Sequence, residues 1–277
     1  MAIYVVKADG SRELFDKRKI IRTCLKLHTT PEQAQSIADR IESRVYDGIT
    51  TREILELVFE YLREFKPDIE HRIDLRRAIS LMRSKPDFER FIGLLLESEG
   101  YNVRQNLILN GKCVEHEIDA IAIKGSEIVY VEVKHHVNPH TPTGLDVFLR
   151  VYSTYLDLME GYRLGLQPYK FTSILVVCNT KISAHARRYA ECMKIAHIGW
   201  RYPEGRALED MIEEYKLYPI TMIRGLNEEI IARLGDIGIV TLKQVIQQGE
   251  NEISVRAGIP VEEVREIKEK ARKILNL

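Results

Sequence analysis

Two acidic residues and a lysine in the middle of the chain have the types and the spacing that phosphodiester hydrolysis requires. In the stretch HEIDAIAIKGSEIVYVEVKHH, residues 116–136, two apolar runs flank Gly125-Ser126, which predicts a β-hairpin with its loop at these two residues. Asp119 and Glu132 are equally distant from this loop, so they are predicted to face each other across the hairpin. Lys134 projects from the same face, because side chains alternate along a strand.

This arrangement of charges indicates a site for a metal ion. Two facing carboxylates repel each other unless a cation lies between them or one of them is protonated. Oxygen ligands with open positions suit Mg²⁺ or Mn²⁺, and Lys134 is placed to orient a water or to stabilise developing negative charge. The alternative is a structural cluster at the edge of the sheet, in which Lys134 neutralises Glu117 and Asp119. The buried strands that flank the hairpin favour the metal site.

The elements around this hairpin are predicted to form an α/β domain, since helices alternate with buried strands. An apolar helix stripe runs from Phe88 to Leu96, and this helix ends at Gly100. Strand-like runs cover residues 102–109, 117–123, 128–134 and 171–178, and helical patterns cover residues 145–161 and 183–193. His116 and His135 also face each other in the predicted hairpin, and we expect them to flank the site rather than to bind metal.

Residues 86–200 resemble the PD-(D/E)xK nuclease superfamily, in particular Mrr-type restriction endonucleases and archaeal Holliday-junction resolvases. The similar segments are Phe88-Glu89 at the start of a helix that ends in Glu99-Gly100-Tyr101, then Ile118-Asp119, Val131-Glu132-Val133-Lys134 and ILVVCNTKISAHARRYAECM. The resemblance implies that Asp119 and Glu132 bind the metal and that Lys134 is the catalytic lysine. It also implies that Glu89 is a helix carboxylate near the metal, in an endonuclease that acts on DNA.

The first segment, residues 1–85, has a different pattern. Two short strand-like runs flank Ala8-Asp9-Gly10-Ser11, which predicts a hairpin with a two-residue Asp-Gly turn, and four helical patterns follow. Lys17-Arg18-Lys19 begins the first helix, where cations oppose the helix dipole unless an anion such as phosphate binds there. The sequence has neither a GxxxxGK[ST] nor a GxGxxG motif, which argues against P-loop and Rossmann nucleotide sites.

The same segment resembles the ATP-cone, the regulatory nucleotide-binding domain of ribonucleotide reductases and of a repressor of their genes. The similar stretches are VKADGSRELFD at residues 6–16, Lys19-Ile20, and YDGITT at residues 46–51. The resemblance implies nucleotide contacts from Lys7, Glu13, Lys19 and Thr51, with Lys85 as a further candidate. It implies ATP or dATP as a regulatory ligand and does not distinguish between the two.

The last segment, residues 206–277, is helical and repeats a pattern. Ile223-Arg224-Gly225-Leu226 and Arg256-Ala257-Gly258-Ile259 each precede a helix rich in Glu and in Ile or Val. This repeat resembles paired helix-hairpin-helix motifs, which bind DNA phosphates through backbone amides. The second glycine of such hairpins is missing, and the segment has 11 basic and 13 acidic residues. DNA contact and docking of a protein partner therefore both remain open as roles for this segment.

Composition sets limits on the class of protein. The 277 residues are 45% hydrophobic and 30% charged, with zero net charge, so contact with nucleic acid would require local basic patches. No apolar stretch approaches the ~20 residues needed to cross a membrane, and the N-terminus lacks a signal-peptide pattern. The four cysteines have no CxxC spacing, which argues against a zinc site or a disulfide framework. We therefore expect a cytoplasmic protein with reduced thiols and no membrane contact.

Together these patterns predict a multidomain α+β protein of archaeal type. Its domains would be an ATP-cone at 1–85, an α/β nuclease core at 86–205, and a linker with an all-α helix-hairpin-helix domain at 206–277. The predicted activity is Mg²⁺- or Mn²⁺-dependent cleavage of DNA, regulated by an adenine nucleotide. One active site per chain favours a homodimer for cutting both strands. The alternative is a nucleotide-responsive DNA-binding or assembly protein whose nuclease core is inactive.

Overall fold

A computed structural model describes residues 2–27, 29–65 and 72–277 of the chain. Internal contacts divide the protein into two compact units, Met1–Ile73 and Asp74–Leu277. The boundary predicted at residue 85 lies inside the second unit, so residues 74–85 belong structurally to the unit that contains the predicted nuclease core.

The first unit combines a β-hairpin with three helices. Its elements are β1 Tyr4–Val6, β2 Arg12–Leu14, α1 Lys17–Lys26, α2 Pro31–Glu42 and α3 Thr51–Leu62. The hairpin has the predicted position but a longer loop, because the Lys7 amide donates to the Ser11 carbonyl at 2.8 Å and leaves three residues between them. Gly10 in this loop has a φ of 79°, a conformation that glycine adopts without steric cost.

Capping and apolar spacing explain the helices of the first unit. Thr50 and Glu53 form a capping box, in which each side chain accepts from the other residue's backbone amide, and this fixes the start of α3. Helices α1, α2 and α3 bury one apolar face each in a common core, which includes Ile20, Cys24, Ile37, Ile41, Val58 and Leu62.

The second unit is built on a five-stranded mixed sheet with the order β3-β4-β5-β6-β7. The strands are β3 Asn102–Asn110, β4 Glu115–Lys124, β5 Glu127–Lys134, β6 Ser173–Cys178 and β7 Ala196–Ile198. The first three are antiparallel neighbours, whereas β6 and β7 continue the sheet in parallel to β5. This arrangement confirms the mixed α/β class and the central sheet expected from the sequence.

Helices surround this sheet and follow it to the C-terminus. They are α4 Leu75–Ser80, α5 Glu89–Ser98, α6 Leu145–Arg163, α7 Ala184–Cys192, α8 Leu208–Tyr215, α9 Glu228–Asp236, α10 Leu242–Gln247, α11 Glu250–Ala257 and α12 Val261–Leu275. A turn, Ser84–Phe88, in which the backbone of Lys85 is extended, leads directly into α5. In the described part of the chain, no helix is both long and apolar enough to cross a membrane.

The β4–β5 hairpin has the register that the sequence predicted. Lys124 pairs with Glu127 across Gly125-Ser126, and the ladder continues to Ala120 and Val131. The paired residues end there, one position before the two carboxylates. On its other edge, β5 pairs with β6 from Val129 to Lys134, so the end of β5 stays inside the sheet after its pairing with β4 has ended.

The C-terminal helices pack on the start of the second unit. The Thr221 hydroxyl donates to the Ala78 carbonyl in α4 at 2.6 Å, and Arg90 of α5 donates to the Gly235 carbonyl in α9 at 2.7 Å. Arg83 forms ion pairs with Asp236 of α9 and with the buried Asp87. These contacts hold the segment before α5 against the C-terminal helices.

Candidate active site

Three buried carboxylates converge on the open end of the β4–β5 hairpin. Glu89 lies in the first turn of α5, Asp119 in β4 and Glu132 in β5, and their side chains are 3%, 10% and 8% exposed. Glu89 is buried because its neighbours Phe88 and Phe91 are fully buried in the core. The structure therefore brings together the two predicted metal ligands and the predicted helix carboxylate.

Asp119 takes part in the backbone bonding of the hairpin at the point where the ladder ends. The Val133 amide donates to Asp119 Oδ2 at 2.8 Å. The Asp119 side chain thus connects β4 to β5 just beyond Ala120 and Val131, the last residues that pair between the two strands. This bond fixes the orientation of the carboxylate and leaves Oδ1 directed towards Lys85, at 3.3 Å from its Nζ.

Lys85 is the cationic partner of the cluster on the side of α5. Its Nζ lies 3.1 Å from Glu89 Oε1, 2.9 Å from Glu117 Oε1 and 3.3 Å from Asp119 Oδ1. The structural alternative assigned the ion pairs of Glu117 and Asp119 to Lys134, but Lys85 makes them. Lys85 was also a candidate nucleotide contact; it instead belongs to the carboxylate cluster of the second unit, because the turn before α5 directs it there.

Glu132 is held from the other side. Arg150 of α6 forms an ion pair with its Oε1, and the Tyr130 hydroxyl donates to its Oε2 at 3.3 Å. Tyr130 is almost completely buried, whereas the Arg150 side chain is 60% exposed. Glu132 thus has a partner at each carboxylate oxygen, one buried side chain and one exposed side chain.

Burial and mutual repulsion change the protonation of these groups. Burial, together with the negative charge of Asp119, raises the pKa of Glu89 to about 7. The same two causes raise the pKa of Glu132, although Arg150 opposes them. The hydrogen bond to Glu117 and the other nearby carboxylates raise the pKa of Lys85, so this ammonium stays charged. Glu89 is therefore the carboxyl group best suited to hold a proton near neutral pH.

Lys134 differs from the other cations of the site. Its side chain is half-buried at the end of β5, and no ion pair to it occurs within residues 2–27, 29–65 and 72–277. Its carbonyl accepts from the Asn179 amide at 3.4 Å, which connects the end of β5 to the end of β6. Lys134 thus has no carboxylate partner among the described residues, and it follows Glu132 by two positions on the same face of β5; its catalytic role stays a prediction.

The donors of this cluster fit a hard divalent cation. All are carboxylate oxygens, and Glu89 Oε2 is buried without a hydrogen-bond partner among the described residues. A preformed cage of three or more His, Cys, Asp or Glu ligands is not present in the described part of the chain. Lys85 and Arg150 instead hold cationic groups against the carboxylates, so a metal ion would have to exchange with at least one of them.

The two histidines that were expected beside the site have structural contacts. His116 Nε2 lies 2.8 Å from Asp157 Oδ2 of α6, and His135 packs its ring on Phe88 with 4.9 Å between ring centres. His135 Nε2 also lies 3.0 Å from the Ile79 carbonyl. These partners anchor α6 and α4 to the hairpin, and they leave the carboxylates as the chemical groups of the site.

The first unit contains a pocket formed by predicted nucleotide contacts. It has a volume of about 120 Å³ and is lined by residues of β2, α1 and α3, including Glu13, Lys19, Thr51 and Leu55. Glu13 accepts from Lys7 at 2.8 Å and from Lys19 at 2.6 Å, which lowers the pKa of its carboxyl group. All four predicted residues thus lie in or directly beside one cavity at the N-terminal ends of α1 and α3.

Sequence reasoning missed the cationic groups that contact the carboxylates. Lys85 was considered only as a further nucleotide contact, and Arg150 and Tyr130 were not considered as partners of Glu132. For Tyr130 a signal existed, because it lies two positions before Glu132 on the same face of the strand. For Arg150 there was none, since an arginine on a helix is usually a surface charge.

Three family models match successive parts of the chain. The ATP cone domain matches residues 3–87, the restriction endonuclease domain of the Mrr type matches residues 81–198, and the AF1548-like C-terminal domain matches residues 218–275. The first two matches confirm the resemblances inferred for these segments. The third match shows that the C-terminal segment is similar to the AF1548-like C-terminal domain. The helix-hairpin-helix assignment of this segment stays a prediction.

Curated relatives and a solved structure are each similar to part of the chain. The transcriptional repressor NrdR of Microcystis aeruginosa is 41% identical over 70 residues, which are 22% of this chain and 41% of the repressor. The crystal structure of AF1548, a protein of unknown function, has a TM-score of 0.60 and 32% identity and covers 68% of this chain and 96% of that one. An uncharacterized protein of Archaeoglobus fulgidus is 34% identical over 181 residues, 65% of this chain and 98% of that protein. The chain therefore belongs to the same family as this archaeal protein, with a restriction-endonuclease-type segment and an AF1548-like C-terminal segment, and it also carries an ATP cone.

Proposed function

We propose that this protein is a Mg²⁺- or Mn²⁺-dependent DNA endonuclease that an adenine nucleotide regulates through the ATP cone. The observation that carries the proposal is the cluster of three buried carboxylates, from α5, β4 and β5, with the half-buried Lys134 two positions beyond Glu132 on β5. A bound divalent cation would polarise a DNA phosphate and lower the pKa of a water. Glu89, Asp119 and Glu132 are the residues that would hold it.

The protein's own groups have separate roles in this proposal. The Val133 amide orients Asp119, so that its Oδ1 is directed towards the site, where it contacts Lys85. Lys134 positions the attacking water and stabilises the negative charge that develops on the phosphate oxygens. In the metal-free site, burial and the charge of Asp119 raise the pKa of Glu89 to about 7, so Glu89 would have to lose its proton before it could bind the cation.

Nucleotide recognition is proposed for the pocket of the first unit. Lys7 and Lys19 supply positive charge for phosphates, and their pairing with Glu13 keeps both ammonium groups at the pocket before a ligand arrives. Thr51 lies at the N-terminus of α3, where backbone amides are directed towards an anion. ATP and dATP both satisfy this chemistry.

The proposed assembly is a homodimer, which would bring two active sites to the two strands of a DNA duplex. The C-terminal helices would contact DNA as helix-hairpin-helix motifs or dock a protein partner; the glycines before α9 and α12, Gly225 and Gly258, have φ values of 76° and 64°. Such tight turns are compatible with both roles.

The test is cleavage of labelled duplex, single-stranded and four-way-junction DNA, with Mg²⁺, with Mn²⁺ and with a chelator, each with and without ATP or dATP. We expect metal-dependent cleavage of at least one substrate by the wild type and a change of rate on addition of nucleotide. Asp119→Asn should abolish cleavage while the melting temperature is retained. Absence of cleavage on every substrate, with DNA and nucleotide still bound, would instead support a nucleotide-responsive binding or assembly protein.

A further inference from the structure

We propose that Lys85 is a tethered counter-ion that competes with the divalent cation for Glu89 and Asp119, so that the site loads metal only when the lysine side chain leaves it. This inference rests on the proposed function and adds a form of regulation to the same site. It concerns the affinity of the site for metal, which is measurable without any cleavage.

The contacts of Lys85 are those of a cation bound between ligands. Its Nζ lies within 3.3 Å of one oxygen each of Glu89, Glu117 and Asp119, which come from three different positions of α5 and β4. It is also the only basic side chain within 4.0 Å of Glu89 or Asp119 in the described residues. Metal and ammonium would therefore bind the same oxygens.

The exposure of the Lys85 side chain allows a metal ion to replace its ammonium group at the carboxylates. The carboxylates of Glu89 and Asp119 are 3% and 10% exposed and fixed by their elements, whereas the Lys85 side chain is 56% exposed. A lysine has a flexible four-carbon stem and a strongly hydrated ammonium, so it can move into water without moving the backbone. The ligands stay in place while their counter-ion leaves.

A second observation is that Lys85 contacts only one of the two carboxyl oxygens of Glu89. Glu89 Oε2 is buried and accepts no hydrogen bond from the described residues, although the other oxygen of the same carboxylate contacts Lys85. A buried oxygen without a partner carries a large desolvation penalty. A divalent cation would satisfy oxygens that a single ammonium group does not reach.

The backbone around Lys85 holds the side chain close to the cluster. The preceding residue, Ser84, contacts His135 Nδ1 with its hydroxyl at 2.9 Å, and Asp87 is clamped by Arg83 at 2.7 Å. The backbone is thus held in place both before and after Lys85. This gives the Lys85 ammonium group a high effective concentration at the carboxylates. A competitor of this kind raises the metal concentration at which the site fills.

The experiment measures Mn²⁺ binding to the full chain by titration calorimetry and by the electron paramagnetic resonance signal of free Mn²⁺. Lys85→Met and Lys85→Gln remove the charge, Lys85→Arg keeps it, and Lys170→Met removes an exposed lysine elsewhere in the second unit. We expect Lys85→Met and Lys85→Gln to bind Mn²⁺ about tenfold more tightly than the wild type, as loss of one partly exposed competing charge implies. Lys85→Arg and Lys170→Met should bind like the wild type.

Weaker or unchanged Mn²⁺ binding in both neutral variants would overturn the inference, because Lys85 would then support the ligands or be irrelevant to them. A lack of binding in every protein would overturn it as well. Tighter binding in the neutral variants without DNA cleavage by any protein would leave the inference standing and contradict only the proposed nuclease activity.

Discussion

Glu89 illustrates how burial next to a second carboxylate changes the protonation of a residue type that is usually exposed. In the sequence it borders an apolar helix stripe, where a glutamate is usually solvated. In the structure it lies between buried aromatic residues and next to Asp119, and its pKa rises to about 7. Because this pKa is higher than the ordinary value of 4.5, ionisation of Glu89 destabilises the metal-free fold as the pH rises from about 4.5 to 7.

In the first unit, replacement of Lys19 tests whether the pocket binds a nucleotide phosphate. Lys19→Ala removes a positive charge that lines the cavity and pairs with Glu13, so we expect affinity for ATP to fall by about tenfold or more. Arg22→Ala is the matched control, because Arg22 is an exposed cation on the same helix and does not line the pocket. Fluorescence titration with a labelled ATP analogue measures both. Equal losses in the two variants would contradict a specific phosphate contact.

At the residue scale, the sequence predicts those groups whose relation is set by one hairpin. Asp119, Glu132 and Lys134 were predicted from the loop position and the alternation of side chains. The observed pairing from Lys124–Glu127 to Ala120–Val131 has the predicted register, and the chemical roles of the three residues stay predictions. Lys85 and Arg150 reach the same site from other elements, through packing that no local pattern encodes. Long-range contacts of flexible side chains are therefore the part that sequence reasoning could not supply.

At the scale of elements, α6 holds the loop between β3 and β4 through a single carboxylate. Asp157 accepts from the Cys113 amide at 2.9 Å and from the Val114 amide at 3.3 Å, and it pairs with His116 at 2.8 Å. These interactions, the hydrogen bond to His116 above all, lower the pKa of Asp157 to about 2. The start of β4, which leads to Asp119, is thereby attached to the helix that carries Arg150.

This attachment has a defined pH dependence. The pKa of Asp157 is lower in the folded chain than its ordinary value of 3.8, so its stabilising effect is complete above about pH 4 and is lost as the pH falls towards 2. We expect Asp157→Asn to lower the melting temperature at pH 7, with a difference from wild type that shrinks between pH 4 and 2. Calorimetry at several pH values measures this difference. A difference that stays constant over this range would show that the charge of Asp157 is not the cause.

Helices and strands were predicted best where the periodic pattern of apolar residues extended over many residues and the turn residues were distinctive. The strands of the β4–β5 hairpin and helix α6 agree with their predicted ranges to within about two residues. The three-residue strand β7 was missed, because Ala196–Ile198 is too short to show a period of two. The loop of the first hairpin was predicted one residue too short, since Asp-Gly also suits the longer turn seen here.

At the scale of the whole molecule, a close approach between α9 and the turn before α5 holds the C-terminal helices in place. Gly235 lies so near Arg83 and Asp87 that a Cβ atom there would be 2.5 Å from Asp87 Oδ1. Asp87 is buried and bound to Arg83, so it has little room to move. The glycine is required by this contact and not by its backbone angles.

Gly235→Ala therefore tests the docking of the C-terminal helices. In an open helix this change stabilises by up to about 1 kcal/mol, but here we expect a loss of about 1–3 kcal/mol from the overpacked contact. Urea denaturation followed by circular dichroism measures the change. In an Asp87→Ala background the loss should become smaller, because the obstructing carboxylate is gone. An equal or greater stability of Gly235→Ala in the wild-type background would contradict the contact.

The central claim is that the carboxylate cluster and Lys134 form one catalytic site, and single-turnover cleavage at known metal occupancy tests it most directly. Mn²⁺ binding and the rate of DNA cleavage are measured together for the wild type, Asp119→Asn and Lys134→Ala. We expect Lys134→Ala to bind Mn²⁺ as the wild type does and to cleave at least about 100-fold more slowly, because the lysine acts on charge that develops during the reaction. Asp119→Asn should lose both binding and cleavage. Full activity of Lys134→Ala, or cleavage by Asp119→Asn at the wild-type rate, would contradict this account.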